Sequence, residues 1–228
     1  MNLYDLFIKG GLVMWPILLC SIIAVAVIVE KYLIISFAKY NPNDLLSSIR
    51  SALMRGNLEE AENATIAVKK PIARILGKAI SKYKMGLPAI QEAIHIAGKE
   101  EVFLLEKRLS VLANISGIGP MLGFLGTVTG MIAAFQTIQQ LGGNVSPADL
   151  ASGIWEAMIT TAFGLIVGIP ALGFYNHFVD RVNRIVFEME KTTEEFIEIV
   201  LSGSTQTETN TTEQKTYFDD TAESGETN

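Results

Sequence analysis

Three long apolar stretches constrain this chain more than any other feature of its sequence. Residues 12–29 and 111–138 contain no Asp, Glu, Lys or Arg, and residues 154–178 contain a single carboxylate, Glu156. A helix needs about 20 mostly apolar residues to cross the hydrocarbon core of a bilayer. The sequence therefore predicts an all-α membrane protein that crosses the lipid bilayer three times.

The composition agrees with this class and excludes others. Of 228 residues, 49% are hydrophobic and 18% are charged, whereas soluble domains average about 25% charged residues. A net charge of -6 argues against nucleic acid as a partner. The lone cysteine, Cys20, excludes a disulfide scaffold, and the isolated histidines His95 and His177 have no second ligand at useful spacing. Because the sequence also lacks nucleotide-binding and nucleophile–base motifs, we expect no cofactor, no metal and no enzymatic activity.

Basic residues between the spans predict the orientation. Residues 39–110 contain 12 Lys and Arg against 8 Asp and Glu, whereas Asp149 is the only charged residue in 139–153. Since basic loops remain in the cytoplasm, we expect the N-terminus and residues 139–153 in the periplasm and the C-terminus in the cytoplasm. A cleavable signal peptide is the alternative interpretation of the first stretch, but no small-residue cleavage motif follows it.

These patterns divide the chain into eight segments. We expect a short periplasmic N-terminus (1–11), a first span (12–38), a cytoplasmic helical region (39–110) and a second span (111–138). A periplasmic loop (139–153), a third span (154–178), a cytoplasmic helix (179–201) and a disordered acidic tail (202–228) follow. The tail is predicted to be disordered because it is rich in Thr, Ser and Glu and nearly lacks apolar residues.

Several start signals predict where helices begin. Asn57 and Glu60 form a capping box, and Asn43 follows an Asn-Pro break. Pro88 and Pro147 suit the first turns of two long helices. No breaker separates either helix from the span that it reaches, so we expect each to run about 75–80 Å, from the membrane into a cytoplasmic helical bundle. The alternative is two separate helices joined at the membrane surface.

Small residues crowd the second and third spans. Pairs of glycines four positions apart let helix backbones approach closely. We assign to helix packing the three pairs Gly119/Gly123, Gly126/Gly130 and Gly164/Gly168.

Polar residues inside the spans allow two interpretations. Pro120 and Thr127 share a helical face with Gly123, and a small polar face of this kind can line a water-filled path. A threonine hydroxyl can equally bond its own backbone and do nothing further. Glu156 is an ionisable group in a span, which usually faces a bundle interior or an aqueous cavity, although its place near the outer end also fits an interfacial acid. One carboxylate is not a relay across the membrane, so proton transfer requires a titratable group from another chain.

The second and third spans resemble those of the MotA/TolQ/ExbB proton-channel family. The motif of the second span is Gly119-Pro-Met-Leu-Gly-Phe-Leu-Gly-Thr-Val-Thr-Gly-Met-Ile-Ala-Ala-Phe135. That of the third is Glu156-Ala-Met-Ile-Thr-Thr-Ala-Phe-Gly-Leu165, followed by Gly168-Ile-Pro-Ala171 and Tyr175-Asn176. The approach to the first span is similar too, with Gly10-Gly-Leu-Val-Met-Trp-Pro-Ile-Leu18. Topology and chain length are similar to those of the ExbB/TolQ branch.

This resemblance implies a channel-forming subunit of an inner-membrane motor driven by the proton motive force. Family members form a pentamer of three-span chains around the single-span helices of two copies of an ExbD/TolR-like partner, whose membrane aspartate carries the proton. Thr127 and Thr161 match the pore-facing threonines of the family, and Glu156 matches the glutamate of the third span. Pro120 matches the proline that opens the small-residue stretch. We therefore expect these four residues along a proton pathway.

The resemblance leaves the exact role open. An ExbB-like subunit would energise transport across the outer membrane through a TonB-like transducer, whereas a TolQ-like subunit would maintain the envelope through a TolA-like one. A third alternative is a non-conducting membrane scaffold in which the threonines and Glu156 only pack. A flagellar stator fits less well, because that branch resembles a four-span chain with a larger cytoplasmic portion.

Overall fold

The computed structural model of the chain describes residues 3–38, 40–142 and 146–223. Regular structure in these residues is entirely helical, which confirms the all-α class for the described part of the chain. The helices are α1 (Leu3–Lys9), α2 (Met14–Ala38), α3 (Asn43–Met54), α4 (Leu58–Ala67), α5 (Pro71–Ser81), α6 (Leu87–Glu106), α7 (Leu109–Gln140) and α8 (Pro147–Glu223), with one 3-10 turn at Tyr83–Met85. The expectations for residues 1–2, 39, 143–145 and 224–228 lie outside the described residues.

Within the described residues, three helical segments are long and apolar enough to cross a membrane. They are Met14–Ala38, Leu87–Gln140 and Leu150–Ser202. Each covers most or all of one of the apolar stretches from which a span was predicted, so the described residues contain three candidate spans, as expected. Many large apolar side chains on these segments are exposed, among them Phe124 and Ile166. Exposed apolar surface on this scale is typical of a face that meets lipid or another protein chain.

The structure corrects the expectation of one continuous helix through the second span. α6 ends at Glu106 and α7 begins at Leu109, because Arg108 adopts a left-handed conformation with φ of 68°. Such a φ is uncommon for a residue with a side chain. The guanidinium of Arg108 forms an ion pair with the carboxylate of Glu30 on α2. This contact with α2 stabilises the interruption between α6 and α7. The sequence does not predict the interruption, because Lys107 and Arg108 are both good helix formers.

The helix that carries the third span is continuous and longer than expected. α8 begins at Pro147, as predicted, and extends to Glu223. This differs from the disordered tail expected from residue 202, since helix continues through residues 202–223. No proline follows Pro170 in the sequence, and the helix passes through Gly203 without a break.

Two compact units divide the chain, and each has its own core. The first unit consists of Met1–Ser36 and Glu106–Val182 and contains α1, α2, α7 and the first part of α8. Apolar side chains of α2 and α8 meet in one cluster of this unit. Its buried members are Met14, Ile17 and Ile159, and the partly buried side chains packed against them are Leu6, Phe7, Val13, Leu122, Phe163 and Val167.

The second unit consists of Phe37–Leu105 and Asn183–Asn228 and contains α3 to α6 with the remainder of α8. Asn57 caps α4, since its side-chain oxygen accepts a hydrogen bond from the backbone N–H of Glu60 at 3.1 Å. α3 begins at Asn43, and Pro88 lies in the first turn of α6. These three predicted helix starts are therefore confirmed. Buried apolar residues of the unit include Ile49, Leu76, Ile80, Ile90, Ala97, Met189 and Phe196.

An ion pair connects α5 with α6 in the second unit. Arg74 donates through Nε and Nη2 to the two carboxylate oxygens of Glu101, at 2.6 and 2.5 Å. The Glu101 side chain is only 9% exposed, whereas that of Arg74 is 49% exposed. The hydrogen bond to Glu101 raises the pKa of the Arg74 guanidinium. A carboxylate this buried requires such a partner, because removal from water disfavours its charged form.

Candidate functional site

α7 and α8 approach so closely that their glycines face the opposing backbone. A Cβ atom added to Gly123 would lie 3.0 Å from the carbonyl oxygen of Thr160. One added to Gly164 would lie 2.6 Å from the carbonyl oxygen of Gly119. Contacts this short leave no room for even a methyl group. The closeness of the two helices is therefore a direct consequence of glycine at these positions.

Gly153 and Thr160 also take part in this contact, although the sequence analysis did not assign them to helix packing. A Cβ atom on Gly130 would lie 2.7 Å from the carbonyl oxygen of Gly153. Thr160 is fully buried, and its side chain occupies the space that a Cβ atom on Gly126 would need. Gly153 and Ala157 also stand four positions apart, so the same small-residue spacing that identified the other pairs could have found Gly153.

Pro120 also contacts α8. Its Cδ atom lies 2.5 Å from the position that a Cβ atom on Gly168 would take, so the proline ring fills the space left by this glycine. α7 continues through Pro120 without a break. The structure therefore places Pro120 in the packing between the helices, beside the glycines.

Thr127 and Thr161 lie on the same side of the α7–α8 pair. The hydroxyl of Thr161 donates a hydrogen bond across the helices to the carbonyl oxygen of Gly123, at 3.1 Å. Thr127 follows Gly123 by one helical turn, and its hydroxyl donates to the carbonyl oxygen of Phe124 at 2.6 Å. Both threonine side chains are partly exposed. Because a hydroxyl that donates retains its oxygen lone pairs, each can still accept a hydrogen bond from a group on this side.

Glu156 lies on a different side of α8. Thr161 follows it by five positions, which turns the two side chains about 140° apart at 3.6 residues per turn. One carboxylate oxygen of Glu156 occupies the space that a Cβ atom on Gly11 would fill, in the turn between α1 and α2. Phe163, on the same side of α8, packs against the cluster formed with α2. The structure thus brings Thr127 and Thr161 together but separates both from Glu156.

Charged side chains gather near the other end of α2. Glu30 pairs with Arg108 at the start of α7, and Lys31 is 1% exposed. Lys31 lies close enough to Glu30, Lys107 and Arg108 for their charges to act on it. Lys31, Lys107 and Arg108 therefore lie together with Glu30 in this part of the first unit.

The part of the chain that the structure describes contains no group of three or more His, Cys, Asp and Glu side chains that could hold a metal ion. Cys20 is a free thiol in α2.

Comparisons with known proteins place this arrangement in context. The sequence model of the MotA/TolQ/ExbB proton channel family matches residues 67–191. The putative biopolymer transport protein ExbB-like 1 of Synechocystis sp. is 33% identical over 174 residues, which cover 75% of this chain and 68% of the relative. The biopolymer transport protein exbB1 of Vibrio cholerae is 26% identical over 198 residues, 86% of each chain. The Tol-Pal system protein TolQ of Haemophilus influenzae is 27% identical over 216 residues, 88% of this chain and 94% of the relative.

Proposed function

The chain belongs to the MotA/TolQ/ExbB proton channel family, in its ExbB/TolQ branch, and on this premise we propose that it is the channel-forming subunit of a motor in the bacterial inner membrane. The motor uses the proton motive force to energise an ExbD/TolR-like partner and, through a TonB-like transducer, transport across the outer membrane. The observation that carries this proposal is the pair of partly exposed hydroxyls, Thr127 and Thr161, on one side of α7 and α8.

The bonding of these hydroxyls suits a carboxylic acid that carries a proton. Each hydroxyl proton is already bonded to a backbone carbonyl, of Phe124 or of Gly123, so the threonine oxygens are left as acceptors. A protonated carboxyl group can donate to such an oxygen, whereas an ionised carboxylate gains no donor from it. The two threonines therefore favour the neutral form of an acid on this side. The membrane aspartate of the partner is the acid that the family resemblance supplies.

Glu156 acts elsewhere on the pathway in this proposal. Its carboxylate faces the turn between α1 and α2, near the start of α8, and not the side that bears the threonines. With the N-terminus in the periplasm, this position is at the outer end of the spans. A carboxylate there attracts protons and orders water at the entrance.

We propose that five copies surround two partner helices, with the C-terminus in the cytoplasm. Exposed apolar side chains on α7 and α8 support such an assembly, since Phe124 is 69% and Ile166 63% exposed in the single chain. The excess of basic residues in 39–110 supports the orientation. Native mass spectrometry of the detergent-solubilised complex, coexpressed with its partner, should show five chains with two partner chains. A stable monomer would contradict the assembly.

Proton uptake into liposomes tests the function directly. Vesicles that contain the purified chain with its partner should take up protons under an imposed potential, and vesicles with either chain alone should not. The scaffold alternative draws support from the backbone hydrogen bonds of both threonines, and it predicts no uptake in any of these vesicles. The TolQ-like alternative draws support from the match to 94% of the Haemophilus influenzae protein. A deletion strain separates the ExbB-like role from the TolQ-like role. Deletion of an ExbB-like subunit would abolish energised outer-membrane transport, whereas deletion of a TolQ-like subunit would impair envelope integrity.

A further inference from the structure

Gly11 meets the carboxylate of Glu156 in the turn between α1 and α2. This glycine has φ of +67°, a conformation that residues with a side chain rarely adopt. A Cβ atom on Gly11 would collide with Oε1 of Glu156 and would lie 2.7 Å from Cδ of the same side chain. The carboxylate therefore occupies a space that exists only because residue 11 has no side chain.

The surrounding contacts hold this turn in place. Phe7 of α1 packs edge-to-face on Trp15 of α2, with the ring centroids 5.3 Å apart. Phe7 also packs against the cluster of Met14, Ile17 and Ile159. Ile159 is one helical turn from Glu156 on α8, so the cluster anchors the turn to the part of α8 that carries the carboxylate. Movement of Gly11 away from Glu156 would open this buried cluster.

From this geometry we propose that Gly11 is a positioning residue for Glu156. Its backbone forms one wall of the space that holds the carboxylate, and its α-hydrogens allow a close approach that any larger residue would block. This wall restricts the Glu156 side chain to conformations that keep its carboxylate beside the turn between α1 and α2. The consequence for proton entry rests on the function proposed above, whereas the placement of the carboxylate does not.

The variant Gly11→Ala tests the placement, with Gly142→Ala as its matched control. Gly142 also has positive φ, +60°, but nothing lies within 4 Å of its added Cβ atom. Both variants therefore introduce the same backbone strain, and only Gly11→Ala displaces Glu156. The measurement is the rate at which a water-soluble carbodiimide and an amine modify Glu156 in native membranes, followed by peptide mass spectrometry.

We expect Gly11→Ala to speed the modification of Glu156 by about fivefold or more, because the displaced carboxylate leaves its half-buried site. In Gly142→Ala, Glu156 should be modified at the wild-type rate. Equal rates in the two variants would overturn the proposal. Because this measurement needs no proton flux, it decides the role of Gly11 even if wild-type vesicles take up no protons and the proposed function fails.

A shorter acid provides the second test. Glu156→Asp removes one methylene group and withdraws the carboxylate from the added methyl group of Gly11→Ala. If Gly11 acts through Glu156, the double variant should take up protons faster than Gly11→Ala alone and approach the rate of Glu156→Asp. Additive losses of the two substitutions would instead mark Gly11 as a residue of the turn with no coupling to Glu156.

Discussion

The hydroxyl of Thr161 on α8 donates a hydrogen bond to the carbonyl oxygen of Gly123 on α7, at 3.1 Å. The bond spans a close approach of the two helices, where a Cβ atom on Gly123 would lie 3.0 Å from Cα of Thr161. Interhelical hydrogen bonds in membranes average about 0.6 kcal/mol. The bond therefore adds little stability, and its larger effect is to direct the hydroxyl proton of Thr161 into the protein.

We expect Thr127→Val to lose proton uptake without losing stability. The hydroxyl of Thr127 bonds only within α7, to Phe124, so valine preserves the shape and removes the acceptor oxygen. Uptake by the reconstituted complex should fall by about 100-fold, the effect of removing one catalytic hydrogen-bonding group. Thr161→Val should show the same loss of uptake and a decrease in stability of about 0.6 kcal/mol.

Thr129→Val is the matched control for these variants. Thr129 lies on the same helix, and its hydroxyl also bonds backbone carbonyls, of Leu125 and Gly126 at 3.2 and 3.1 Å. Two residues along the helix turn it about 200° from Thr127. Thr129→Val should therefore retain normal proton uptake. If all three valine variants take up protons normally, the threonines only pack and the polar-lining role is wrong.

Glu156→Gln should retain part of the uptake. Glutamine has nearly the same shape as glutamate and can occupy the same space beside Gly11. It keeps the geometry at the entrance and removes the negative charge that attracts protons. We expect a rate between those of the wild type and Thr127→Val. A rate equal to the wild type would exclude a role for the charge.

Gly164→Ala should destabilise the complex, whereas Gly173→Ala on the same helix should not. An added methyl group at Gly164 meets the backbone of α7, 2.6 Å from the oxygen of Gly119, so the helices must separate. Overpacking of this kind costs about 1–3 kcal/mol. Nothing lies within 4 Å of a Cβ atom on Gly173. Thermal unfolding in detergent should show a lower midpoint for Gly164→Ala alone, and equal midpoints would contradict the close packing of α7 and α8.

Single cysteines in a Cys20→Ala background test the orientation. Ser81, at the end of α5, and Gln140, at the end of α7, are both exposed. In intact spheroplasts, a membrane-impermeant thiol reagent should label Gln140→Cys and should label Ser81→Cys only after lysis. The reverse pattern would invert the proposed topology.

The ion pair between Arg74 and Glu101 predicts an asymmetric effect of mutation. Arg74→Ala leaves a carboxylate whose side chain is 9% exposed without its partner, which should cost about 2–3 kcal/mol of unfolding free energy. Glu101→Ala leaves Arg74, 49% exposed, in contact with water and should cost about 1 kcal/mol.

Lys78→Ala is the control for this comparison. It breaks a pair with Glu100 in which the side chains are 54% and 57% exposed, so the loss should stay below about 1 kcal/mol. Chemical denaturation of the full-length chain in detergent measures all three. Equal losses for Arg74→Ala and Lys78→Ala would show that burial of Glu101 does not matter.

Local patterns in the sequence determined the candidate spans and the starts of α3, α4, α6 and α8. Apolar stretches identify a membrane helix because the gain from leaving water depends on the composition of the segment. The capping of α4 by Asn57 and the start of α8 at Pro147 involve only neighbouring residues, so they too could be predicted. The spacing of the glycines in the second and third spans was enough to predict close helix packing.

Only the tertiary structure decided where the helix is interrupted between α6 and α7 and which polar groups meet. The end of α6 depends on an ion pair between Arg108 and Glu30, which are 78 positions apart. Glu156 faces Gly11, from near the start of the chain, and not the threonines with which its motif suggested it would act. Helix-forming tendency and spacing report interactions within a few residues, whereas these features arise from contacts between helices. Such contacts exist only once α2, α7 and α8 have packed together.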